Sequence, residues 1–94
     1  MKNSKVKVAT FRIVDQYTRE NKCIIVSMYP VSKTIKEAKS FFNGCLEKHF
    51  ACVAECEEYG PLPFAMAQTM TDTIQRANPC VMVFNLFDEE RAVS

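Results

Sequence analysis

Residues 5–14, KVKVATFRIV, alternate well, as an extended strand does. Val6, Val8, Thr10, Arg12 and Val14 share one strand face, and Lys7, Ala9, Phe11 and Ile13 share the other. A polar connection, DQYTREN at 15–21, leads straight into KCIIVSMYP, with β-branched Ile24, Ile25 and Val26 at its centre. So short a link cannot make a parallel crossover, so the two strands must pair as an antiparallel hairpin. No glycine is offered in the turn, which makes Asn21 the expected left-handed residue.

The rest of the fold grows from that hairpin. Thr34 and Glu37 have capping-box spacing and open a helix that carries Ile35, Ala38, Phe42, Cys45 and Leu46 at helical intervals. The apolar repeat continues through His49, Cys52, Cys56 and Tyr59, which on its own favours one helix to Gly60. Electrostatics favours a stop near His49. Glu55, Glu57 and Glu58 would crowd a helix C-terminus, whereas Lys48 and His49 suit one. Residues 50–58 are therefore read as a third strand, with Cys52, Ala54 and Cys56 inward and Val53, Glu55 and Glu57 outward.

Pro63 fits the first turn of a second helix carrying Phe64, Ala67, Met70, Ile74 and Ala77, which Asn78–Pro79 ends. CVMVFNLF at 80–87 reads as a strand apolar on both faces, hence central. DEERAVS follows as a polar tail. The expected fold is α+β, a two-layer sandwich over residues 1–94 as one domain. An antiparallel sheet of three or four strands carries two helices on one face, in the order ββα(β)αβ. Its other face would be open, with Val8, Arg12, Val53 and Glu55 on it.

Composition limits the function. At 94 residues, 48% apolar and 24% charged, the chain is sized for one modest core and is not of disordered type. The opening MKNSKVKVATFRIV has no leader pattern, no apolar run spans a bilayer, and the five cysteines have irregular spacing. A cytoplasmic protein with reduced thiols, away from membranes, is expected. Charge is segregated: residues 1–48 carry a net +6 and residues 49–94 a net −5.

CLEKHFACVAEC, residues 45–56, gathers the ligand types Cys45, His49, Cys52 and Cys56. On one helix the outer pair would lie roughly 16 Å apart along the axis, and on a strand Cys52 and Cys56 would be about 13 Å apart. Zinc needs its ligands at about 2.0–2.3 Å, so neither conformation closes these four on one ion. With only two glycines there is no phosphate-cradling loop, and no cofactor or metal is expected.

Three functional readings remain. The first is a small non-enzymatic interaction domain that binds a protein partner or a second copy of itself, with Arg12, Val53, Glu55, Glu57 and Tyr59 as its contact residues. By type it is comparable to the compact accessory proteins of phages and other mobile elements. The second is nucleic-acid binding through Lys2, Lys5, Lys7, Arg12, Arg19 and Lys22, with Phe11 and Tyr17 stacking on bases. The third is a thiol enzyme pairing His49 with Cys45 or Cys52.

Overall fold

The computed structural model describes residues 5–86. Strand β1 (Lys5–Asp15) and strand β2 (Asn21–Pro30) form the expected antiparallel hairpin. Helix α1 (Ile35–Leu46) follows, then a 3-10 turn at Glu47–His49, strand β3 (Ala51–Pro63), helix α2 (Phe64–Ala77) and a short strand β4 (Val81–Val83). The sheet order is β3-β1-β2-β4. This is the α+β class that the sequence predicts, with four strands and two helices.

Local signals act as expected at most ends. The Thr34 side chain accepts from the Glu37 backbone N–H at 3.1 Å, and Glu37 accepts from the Thr34 N–H at 2.8 Å, completing the capping box. Phe50 closes the 3-10 turn with φ of 56° and donates its N–H to the Glu47 carbonyl. The chain is then extended from Ala51, so the helix stops near His49. In the hairpin turn, the left-handed residue is Arg19, with φ of 67°, and not Asn21. The cause is Asp15, whose carboxylate accepts the N–H groups of Tyr17 and Thr18 at 2.8 and 2.9 Å. That side-chain turn sets the early bend and moves the positive φ towards its end.

The layering differs from the expectation of both helices on one face. Ala9, Phe11, Ile13, Ile25 and Tyr29 pack with Ala38 and Phe42 of α1. Val6, Val8, Val26 and Met28 pack with Ala67 of α2. In β1 and β2 these are opposite faces, so the helices flank the sheet. Chain direction explains it. β2, β3 and β4 all run the same way, so both helices are parallel crossovers, one leading from β2 to β3 and the other back across to β4. Parallel crossovers share a right hand, and two of one hand running in opposite directions lay their helices on opposite faces.

Strand β4 is the other difference. It is an edge strand, parallel to β2, instead of a central antiparallel one. The hairpin takes the centre because β1 buries residues from both faces: Val8, Ala9, Phe11, Ile13 and Val14 are all buried. Beyond Val83 the ladder continues through Phe84 N–H to the Val26 carbonyl and Leu86 N–H to the Met28 carbonyl, while the Asn85 side chain accepts from the Met28 N–H. The expected polar tail at 88–94 lies outside the described residues.

On α2 the buried stripe is Ala67 and Thr71, with Met70 and Ile74 half-buried and Phe64 exposed. Thr71 is not one of the apolar positions that the sequence spacing picks out. Its hydroxyl donates to the Ala67 carbonyl at 3.0 Å, which satisfies it inside the helix and lets it face the sheet.

Candidate functional site

The expected contact residues lie on or beside β3, and a bulge decides which of them face the same way. In β1–β3 pairing Arg12 stands opposite Glu55, but Ile13 stands opposite Val53. One step on β1 therefore matches two on β3, and Ala54 is the extra residue. Val53 and Glu55 would share a face in a regular strand. Across the bulge they take opposite faces. Val53 is buried against α1, 7% exposed, and Glu55 points to the α2 side. Val53 is thus removed from the expected open face by register, and Val8, also expected there, is fully buried against α2.

The remaining four residues come together. Arg12, Glu55, Glu57 and Tyr59 line one cleft of about 340 Å³ with Thr10 and Ile24 at its floor and Ile74 of α2 as its far wall. It exists because α2 covers only part of this face. The Arg12 guanidinium donates to Glu55 Oε1 at 3.3 Å and to Asn21 Oδ1 at 2.6 Å. Tyr59 Oη donates to Glu57 Oε1 at 2.7 Å. That bond to a carboxylate is the main reason the Tyr59 phenol is held above its ordinary pKa, with burial second. Thr10, Ile24 and Ile74 escaped the sequence reading because their neighbourhood depends on long-range register.

Glu58 separates from the strip. It pairs with Ala9 on the α1 side, where it accepts from Tyr29 Oη at 2.6 Å and lies 3.7 Å from Lys7 Nζ. The sequence groups Glu55, Glu57 and Glu58 as one acidic run; the strand divides them between two faces but keeps all three exposed on the edge strand.

Among the described residues, no strand neighbours the outer side of β3. Near its start the Val53 N–H is taken by Asn43 Oδ1 of α1 at 2.9 Å. Near its end Pro61 and Pro63 carry no N–H. Between these limits, residues 54–60 form an open edge beside the cleft.

The structure redistributes the residues of the other two readings. Phe11 is fully buried in contact with Phe42, ring centroids 5.0 Å apart, and has no face to offer a base. Lys7 and Arg12 lie on opposite faces of the sheet, each beside a glutamate. Lys2 lies outside the described residues. Tyr17 is exposed, with its ring 6.1 Å from Phe50. Cys45 belongs to α1, His49 to the 3-10 turn, and Cys52 and Cys56 to β3. Cys52 Sγ accepts from the Arg19 guanidinium at 3.5 Å. Among the described residues no group of three or more His, Cys, Asp or Glu could hold a metal ion, and no helix is long and apolar enough to cross a membrane.

No protein-family model, curated protein or solved structure matches this chain.

Proposed function

We propose that this protein is a non-enzymatic binding domain whose target is an extended, basic segment of a partner protein, taken up along the outer edge of β3. The observation that carries the reading is the juxtaposition of an open edge at residues 54–60 with three exposed glutamates and the Arg12–Tyr59 cleft. An added strand gains main-chain hydrogen bonds along the edge, and its alternate side chains meet the two faces. Those on the α2 side lie beside Glu55 and Glu57, and those on the α1 side beside Glu58. Lysine or arginine at these positions complements the edge. A second copy's β3 would set glutamates against glutamates, which is unfavourable. The same charges that keep the edge from pairing with itself therefore select a basic guest.

Self-association through another surface is the second reading, favoured by the apolar groove of Met66, Met70 and Ile74 along α2. Size-exclusion chromatography with light scattering separates the two: a monomer at high concentration leaves only the foreign partner.

The test of the first reading is fluorescence anisotropy with a labelled peptide alternating lysine and valine, and a matched peptide alternating glutamate and valine. The basic peptide should bind, more weakly as salt rises. The double variant Glu55→Lys, Glu57→Lys should bind it at least about tenfold more weakly. Equal binding of both peptides, or unchanged binding by the charge-reversed variant, overturns the reading.

A further inference from the structure

We propose that Cys23 and Cys80 form a thiol-oxidation site, a cross-strand pair that closes to a disulfide in reaction with a small-molecule disulfide such as glutathione disulfide. β2 and β4 run parallel with Ile24 beside Val81, Ile25 beside Met82 and Val26 beside Val83. Cys23 and Cys80 are the residues just before the first pair, Ile24 and Val81, and the Ile24 N–H donates to the Cys80 carbonyl at 3.1 Å, which holds the Cys80 backbone against β2. Cys23 packs on the α1 side with Ile25, and the Cys80 thiol is close enough to act electrostatically on the Cys23 thiol, so the two side chains are neighbours.

Distance permits the bond. Neighbouring strands lie about 4.7–4.9 Å apart, inside the roughly 4.4–6.8 Å window that disulfides need between Cα atoms. The Cβ atoms must close to about 3.8 Å. Cys80 can supply that movement, because it sits in the turn just before β4 and not in the regular strand. The other cysteines have no such neighbour. Cys52 stands opposite Val14 and Cys56 opposite Phe11, and Cys45 lies on α1.

The two thiols divide the work. Cys80 is exposed and Cys23 is half-buried. Burial first, and the neighbouring Cys80 thiol second, push the Cys23 thiol up. Cys80 therefore attacks. Its thiolate displaces one glutathione thiolate from glutathione disulfide, forming a mixed disulfide. Cys23 then loses its proton to solvent and attacks the Cys80 sulfur, expelling the second glutathione. Two protein thiols give up two protons and two electrons, and one glutathione disulfide becomes two glutathione molecules. The product ties β4, a strand of three residues, to the central hairpin.

The test uses the full chain and a triple variant, Cys45→Ser, Cys52→Ser, Cys56→Ser, which keeps only the pair. Both are incubated with glutathione disulfide near pH 8.5, about the ordinary cysteine pKa. Free thiols are counted and unreduced peptides are mapped by mass spectrometry. The expected result is loss of both thiols in the triple variant, a Cys23–Cys80 linked peptide in both proteins, and a thermal midpoint raised by roughly 10 °C on oxidation. Cys23→Ser should stop at a glutathione adduct on Cys80. The proposal is overturned if the triple variant also stops at that adduct, or if the full chain links other cysteines in preference.

Discussion

Tyr29 Oη donates a 2.6 Å hydrogen bond to Glu58 Oε2, joining β2 to β3 across the intervening β1. Tyr29 is fully buried, and its hydroxyl meets Glu58 beside Lys7. Tyr29→Phe removes one bond to a charged acceptor. Glu58 is partly exposed, so water takes up much of its demand, and the cost should be about 1 kcal/mol in urea unfolding.

The same bond carries a pH dependence. Burial, then the hydrogen bond and charge of Glu58, hold the Tyr29 phenol far above its ordinary pKa of 10. A raised folded value means the stabilisation is full below the unfolded pKa and is lost as pH rises beyond it. Wild-type stability should therefore fall above about pH 10, and Tyr29→Phe should flatten that fall. Absorbance titration should show a late-ionising phenol that the variant lacks.

The bulge at Ala54 predicts opposite outcomes at two positions two residues apart. Val53→Lys places a charge against α1 and should cost about 3 kcal/mol or more, or prevent folding. Glu55→Lys changes an exposed residue and loses one surface ion pair, at a cost below about 1 kcal/mol. Thermal melts of the two variants check this directly.

Gly60 has φ of 106°, and a Cβ there would meet the Leu62 nitrogen at 3.0 Å and the Val6 carbonyl oxygen at 3.1 Å. Both neighbours are backbone and cannot swing aside. Gly60→Ala should cost about 1–3 kcal/mol by urea unfolding.

At the start of α1, Thr34→Ala removes the N-cap and should cost about 1 kcal/mol at neutral pH. Hydrogen bonds from the Thr34 backbone and hydroxyl hold Glu37 below the ordinary glutamate value of 4.5. A depressed folded value gives stability that is full above 4.5 and is lost as pH falls through the lower folded value. The gap in thermal midpoint between wild type and variant should narrow in acid.

What the sequence reveals follows range. The hairpin, the capping box and the stop at His49 are decided by residues within a few positions of one another, and their patterns are visible in the chain. The bulge is not, because Ala54 is an extra residue only relative to β1. Val53 therefore reads as a companion of Glu55, although the pairing separates them. The side chosen by α2 depends on where β4 docks. CVMVFNLF reads as central because it is apolar throughout, yet Met82 and Phe84 are exposed beside the edge. Four of the five expected contact residues nonetheless line one cleft, since Arg12 lies opposite Glu55, and Glu57 and Tyr59 follow on the same face.

The most direct measurement of the binding account is an amide chemical-shift map of the isotope-labelled protein titrated with the lysine–valine peptide. Added pairing on β3 should shift and protect amides within residues 54–60, with smaller changes at Thr10 and Arg12 and none along β4. Changes centred on β4 or α2, or no changes at all, would contradict it.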